Sequence, residues 1–333
     1  MQHPDVPSCD PRRHPPFGTY GVFVVIACVL IPAMAGGQTN STPKKKDAAV
    51  RAQMRNVKYR FADNVAVHIR SLDGALIPAG DHEFPVLDDK NSFKIHIDTA
   101  EIAISPTDLG NVLNSYILAR AHAPLADVSI AIVHGQLQVK GKLHDKGDIP
   151  FEAVGTLSAM PDGKVRLHIE KIKALRLPVK GLMDIFGVDL NDLIKTGKVP
   201  GIQVEENDLI LDLEQILPPP HMEGKVTAIG VADNLIVQSF GGSAKRPTEK
   251  PQNANYMSYQ GNQLRFGKLT MTDADIVLND LDPNDPLDFY LDHYKEQLAA
   301  GYTKITPTFQ LRVYLKDFDK LGKTKASTKD HAN

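Results

Sequence analysis

The chain has no tryptophan, few aromatics of any kind (6%) and two cysteines, Cys9 and Cys28, both near its start. Beyond Cys28 there is no thiol. That excludes disulfides, a thiol nucleophile and a Cys-ligated metal from everything that follows, and leaves stability there to burial. An excess of one charge sign is missing too, with 38 basic against 40 acidic residues. Nucleic acid is thereby excluded as a partner, because phosphate neutralisation needs a basic face. The basic runs, Lys44-Lys45-Lys46 and the stretch from Lys320 to Lys329, lie in polar flanks and read as solvated arms.

Catalytic motifs are also lacking. There is no Gly-x-Ser-x-Gly elbow, phosphate loop, dinucleotide fingerprint or His-Glu-x-x-His. His96 and His168 fall in the polar phase of alternating strands and His134 in a turn, so each reads as facing solvent. Glu205-Glu206 and the pair Asp189 and Asp192 read as solvated carboxylates. No catalytic residue, metal ligand or cofactor is assigned, and an enzyme ranks last among the function classes. One acidic cluster is notable: Asp273, Asp275, Asp280, Asp282, Asp285 and Asp288. Asp280-x-Asp282-x-Asn284 opens like a calcium loop, but its sixth position is Asp285 where Gly is needed and its twelfth is Leu291 where Glu belongs. The simpler reading is a turn followed by a helix with Asp285 as N-cap.

What is present begins with a leader. Arg12-Arg13, the apolar run Tyr20 to Ile31, Pro32 and the small-x-small Ala33-Met34-Ala35 form the three parts of an export signal. Residues 1–35 thus read as a signal peptide, and the protein as exported, periplasmic or extracellular. Two rival readings stay open. One is an uncleaved membrane anchor, because residues 17–42 are free of charge and approach the roughly 20 apolar residues a bilayer needs. The other is lipidation at Cys28 in Val25-Ile26-Ala27-Cys28. Residues 36–55 read as a flexible basic linker, 56–318 as a single β-rich domain with a loop or linker at 241–255, and 319–333 as a disordered tail.

From Val57 on, the dominant period is two. Val57, Tyr59 and Phe61 turn at Asp63-Asn64 into Val65, Val67 and Ile69, and Phe93, Ile95 and Ile97 form the next strand. A turn at His134-Gly135 sets Ile132 opposite Leu137, Ile130 opposite Val139 and Val128 opposite Gly141, all on one face. With reversals at 145–148 and at Asp162-Gly163, residues 127–177 read as a four-stranded antiparallel meander. A turn at Asn207-Asp208 sets Val204 opposite Leu211 and Ile202 opposite Leu213. One at Asp233-Asn234 sets Ala232 opposite Leu235 and Gly230 opposite Val237. Helices are expected after the cap Ser105-Pro106, across Val179 to Ile194, and from Asp285 through Leu287, Leu291, Tyr294 and Leu298 to Gly301. The fold class is α+β: a large curved antiparallel sheet of meander hairpins with a few amphipathic helices packed on one face.

Val128 to Phe240 resembles the exported LmeA-like phospholipid-binding proteins, a group similar to the tubular lipid-binding superfamily. The resemblance is carried by Leu137-Gln138-Val139-Lys140-Gly141, the strand Phe151 to Leu157, the turn Asp162-Gly163 followed by Val165 and Leu167, the helix Val179 to Ile194, and Gly224-Lys225-Val226-Thr227-Ala228. It implies a curved sheet wrapped around helices, a hydrophobic groove, and binding or transfer of membrane lipid without catalysis. It transfers no individual functional residue, and residues 261–315 have no counterpart in it.

A sheet with one apolar face and few helices must curl on itself, pack solidly or line a cavity. The function expected is therefore an exported lipid or hydrophobic-ligand binding or transfer protein. Its partners would be phospholipid or another amphiphile, and a membrane surface. The candidate lining is Val128, Ile130, Val139 and Leu167 on the sheet, with Leu182, Ile185, Phe186 and Leu193 on the second helix. A structural or interaction protein of the cell envelope with a packed core is the alternative, and a hydrolase with dispersed site residues the third.

Overall fold

The computed structural model describes residues 49–119, 125–143, 148–174, 200–242 and 254–322, all within one compact unit, Lys45–Asn333. The chain is strand-rich, built of large antiparallel sheets and few helices. Its strands are β1 (Val50–Ala62), β2 (Val65–Pro78), β3 (Phe93–Ile104), β4 (Leu125–Val133), β5 (Gln136–Leu143), β6 (Ile149–Ala159), β7 (Val165–Ala174), β8 (Ile202–Glu205), β9 (Asp208–Leu211), β10 (Met222–Glu223), β11 (Val226–Ala232), β12 (Leu235–Phe240), β13 (Tyr256–Phe266), β14 (Leu269–Asp280), β15 (Leu287–Tyr290), β16 (Tyr302–Ile305) and β17 (Leu311–Leu315). Among the described residues the α-helices are α1 (Pro106–Val112), α2 (Leu213–Ile216) and α3 (Tyr294–Ala299).

Eleven strands form the larger sheet, ordered β11-β12-β3-β2-β1-β13-β14-β17-β16, with β10 beside β3 and β15 beside β1. The smaller sheet is β4-β5-β6-β7-β9-β8. Their buried apolar residues join in one continuous core, from Met54, Ile69, Leu76 and Leu278 in the larger sheet to Leu137, Phe151 and Val165 in the smaller.

Alternation explains β1 and β2 up to one break. Val50, Ala52 and Met54 point into the core, then Val57, Tyr59 and Phe61 do, so the phase slips at Arg55-Asn56, where Asn56 takes a φ of 50°. On β2 the slip falls opposite, between Ile69 and Leu72. The two polar residues so displaced are tied down. Arg55 donates to the Leu72 carbonyl at 2.8 Å and to Asp73 at 2.7 Å. Asn56 marks a change of neighbour as well: β13 pairs antiparallel with β1 up to Arg55, and β15 pairs parallel with it from Val57. A second irregularity lies between Asp73 and Gly74, where β3 approaches so closely that a Cβ on Gly74 would stand 2.0 Å from the His96 carbonyl oxygen. Only glycine fits there.

Several short-range expectations hold. Ser105 caps α1, accepting from the Asp108 amide at 3.0 Å, with Pro106 in the first turn. The meander is β4 to β7, and the His134-Gly135 and Asp233-Asn234 hairpins have the expected registers, with Ile132 opposite Leu137, Ile130 opposite Val139, and Gly230 opposite Val237. Three expectations are corrected. Val128 does not face Gly141 in a regular pair, because the register slips between Ala126 and Ser129, where Asp127 has a φ of 52°. The turn between β8 and β9 is Glu206-Asn207, which sets Val204 opposite Leu209 and Ile202 opposite Leu211. That shift of two residues keeps the same face inward. Finally, no helix starts at Asp285: Leu287–Tyr290 is a strand with all four residues buried, followed by a 3-10 turn at Leu291–His293 and α-helix from Tyr294. The expected helix Val179 to Ile194 lies outside the described residues.

Candidate functional site

Of the expected lining residues, the smaller sheet brings Ile130, Val139 and Leu167 to one apolar face. Its register builds this face in rows across the strands. Ile130, Val139, Ala153 and Ile172 form one row, and Ile132, Leu137, Gly155 and Ile169 the next. Leu157, Leu167, Leu209 and Val204 follow, then Ala159, Val165, Leu211 and Ile202. None of the positions in these rows carries a charged or hydrogen-bonding side chain. Val128 is buried beside this face at the bulge, where the Asn114 amide satisfies both of its backbone groups at 2.7 and 3.0 Å. Leu182, Ile185, Phe186 and Leu193 lie outside the described residues.

Burial separates the two sheets. In the larger one the inward side chains Met54, Ile69, Leu72, Met257 and Leu278 are fully covered. On the smaller sheet Leu137, Val165 and Leu167 are covered, while Ile130, Ile132, Val139, Leu157, Ile172, Ile202, Val204, Leu209 and Leu211 keep partial access. An apolar face left part-open is the arrangement an acyl chain can use. On the other side of the sheet His168 pairs with Asp208 at 2.6 Å, and Ser158 accepts from Arg166 at 3.1 Å.

A groove of about 750 Å³ lies elsewhere, on the larger sheet, lined by Arg51, Asp73, Asp98, Gln260, Asp273 and Asp275 among others. Its carboxylates suit cations and water, and would desolvate badly against acyl tails.

Of the acidic cluster, Asp273 and Asp275 line that groove, while Asp280, Asp282, Asp285 and Asp288 join a polar seam between β1 and the C-terminal strands, which sequence reasoning missed. Asn56, at the change of neighbour on β1, meets His68 Nε2 at 2.8 Å and donates to Asn255 Oδ1 at 2.7 Å. Asn255 in turn donates to Asp280 at 3.1 Å and to the Asp285 carbonyl. Asp280, Asp285 and Asp317 present oxygens within 4.8 Å of one another, a spacing a hard cation could use. Lys320 already stands there, its ammonium 2.7 Å from Asp282 and 2.9 Å from both Asp285 and Asp317. The cluster thus carries its own counter-charge and reads as structural. A signal was available in the sequence: Asn255 and Asp280 are polar residues flanking strongly apolar strand ends.

Burial pushes the Asp280 carboxyl up to about 6, assisted by the charges of Asp317 and Asp285 and opposed by hydrogen bonds from Asp282 and Asn255. The folded state therefore binds this proton more tightly than the unfolded chain does. Its contribution is fully present below pH 3.8 and is lost as pH rises through about 6. The displacement from 3.8 to about 6 corresponds to about 3 kcal/mol. Urea denaturation across this window should show Asp280→Asn gaining on the wild type as pH rises from 4 to 7. A difference between the two that is flat with pH would mean that Asp280 is charged throughout.

Among the described residues no helix is long and apolar enough to cross a membrane. Compared with known proteins, the chain matches no family model, no curated protein and no solved structure.

Proposed function

We propose that the protein is an exported carrier of phospholipid or another long-chain amphiphile, acting without catalysis. Tails would lie along the apolar face of the smaller sheet, over Ile130, Val139 and Leu167. The observation that carries this reading is the contrast in burial: the same alternating apolar pattern is sealed in the larger sheet and part-open in the smaller. In this reading the smaller sheet curves around its ligand, with amphipathic helix packed on that face. An envelope interaction protein is the second reading, favoured by the fully packed core of the larger sheet.

The test is native mass spectrometry of protein purified gently from its own host, followed by delipidation and uptake of a fluorescent fatty acid from monomeric solution. A stoichiometric amphiphile and saturable uptake are expected. Val139→Glu puts a charge on the part-open face and should weaken uptake at least about tenfold, with the thermal transition measured alongside to separate loss of binding from loss of fold. Protein that carries nothing and takes up nothing would transfer the assignment to the interaction protein.

A further inference from the structure

The hairpin joining β16 to β17 holds two large apolar side chains in solvent, Ile305 at 72% and Phe309 at 88% exposure. Its turn is closed by the Phe309 amide donating to the Thr306 carbonyl at 2.9 Å and the Thr306 amide donating to the Gln310 carbonyl at 2.9 Å. Phe309 takes a φ of 62°. Hairpin loops of this kind place glycine at their left-handed position, and a bulky aromatic there is an outlier. Phe309 therefore suits neither its backbone nor its solvent. Residues held in this way concentrate where function requires them.

Behind the tip the side chains change character. Tyr302 and Tyr314 stack with ring centroids 4.5 Å apart, and the Lys304 ammonium lies 5.2 and 5.7 Å from their centroids. From Gly301 to Lys316 the chain carries Lys304, Arg312 and Lys316 and no carboxylate. The adjoining β14 does supply Asp275, whose carboxylate accepts from Gln310 at 3.0 Å and Gln260 at 3.4 Å. β16 ends the sheet, so no further strand covers this corner among the described residues. An apolar tip followed by tyrosines and cations repeats the order of a membrane interface, from acyl boundary to anionic headgroups.

We propose that this hairpin docks the protein on an anionic phospholipid surface, with Phe309 and Ile305 entering the acyl boundary and Lys304 and the tyrosines lying among headgroups. The inference rests on the carrier reading, since a lipid carrier must reach its membrane, but its test is separate. The chain has no tryptophan, so Phe309→Trp in the full chain makes the tip its single indole reporter. On vesicles of phosphatidylcholine with a minority of phosphatidylglycerol, the emission of this indole should shift to the blue and be quenched by lipids brominated on their acyl chains. Omitting phosphatidylglycerol or raising salt should weaken both signals. Adding Ile305→Asn to the reporter should cut the vesicle concentration response about tenfold, with the thermal transition unchanged. Water-like emission from the indole while the chain sediments with vesicles would overturn the proposal. So would a blue shift that brominated lipid does not quench, which would mean that the indole is buried against a second copy of this chain. Because fatty-acid uptake from solution needs no vesicle, a tip that inserts in a protein that takes up nothing would remove the carrier reading and leave the docking one standing.

Discussion

Arg60→Met should destabilise the protein by about 3–5 kcal/mol, the cost of leaving a buried carboxylate without its partner. Asp288 is 3% exposed at its side chain, and Arg60 grips both of its oxygens at 2.6 Å, with Lys58 at 3.0 Å. Burial alone would raise the Asp288 pKa, but the bonds and charges of Arg60 and Lys58 outweigh it and hold the carboxyl below its ordinary range. The contribution of this group is therefore present above the unfolded pKa, near 3.8, and is lost as pH falls through the depressed folded value. In the variant the carboxylate keeps Lys58, which is partly exposed, and the like-charged Asp319 beside it, so its pKa rises and the deficit narrows on acidification. Denaturant midpoints of wild type and Arg60→Met at pH 7 and pH 4 measure this directly. Asp288→Leu combined with Arg60→Met should recover much of the loss, as removal of both partners of a buried pair does elsewhere. A loss below about 1 kcal/mol at pH 7 would mean that Asp288 is hydrated rather than sealed.

Arg60 shows where sequence reading stops. It occupies the polar phase of an alternating strand, a pattern that normally marks a solvated residue. Its partner is 228 positions away, beyond any local periodicity. What was legible was what two adjacent strands and a turn determine between themselves: the hairpins at His134-Gly135 and Asp233-Asn234, and the cap at Ser105. The bulge at Asp127 escaped, because Val128 draws both backbone bonds from Asn114 in the segment after α1, a contact that no repeat of two predicts. The handover at Asn56 escaped for the same reason, since it depends on which distant strand lies alongside β1.

The candidate site divides in the same way. Ile130, Val139 and Leu167 were readable as one face because their registers follow from short turns, and the structure places them in adjoining rows. That the face is left part-open is a matter of tertiary cover, which alternation does not encode. By alternation Phe309 falls in phase with Leu311, Val313 and Leu315 of the last strand. Thr306-Pro307-Thr308 before it was the available turn signal, and it moves Phe309 out of the ladder.

Phe289→Ala decides between the two readings of the segment after Asp285, and should cost about 3–5 kcal/mol. Read as a helix, the stripe Leu287, Leu291, Tyr294 and Leu298 faces inward. Phe289 then lies on the opposite, solvated side, where truncation is usually within about 0.5 kcal/mol. In the structure Phe289 pairs with Tyr59 across the parallel β1–β15 ladder, is 2% exposed and packs its ring 5.7 Å from that of Tyr59. Strand wins over helix here because β13 leaves the edge of β1 at Arg55, and the exposed amides and carbonyls beyond it need a partner. Leu287–Tyr290 supplies one, and burying all four side chains adds more than a single helical stripe would. Leu291 is buried in either arrangement, so Leu291→Ala serves only as a reference for an ordinary core truncation. A urea midpoint for Phe289→Ala that falls as far as the one for Leu291→Ala, with the slope of the transition unchanged, supports the ladder. A midpoint that stays with the wild type returns the segment to a helix and leaves the edge of β1 open.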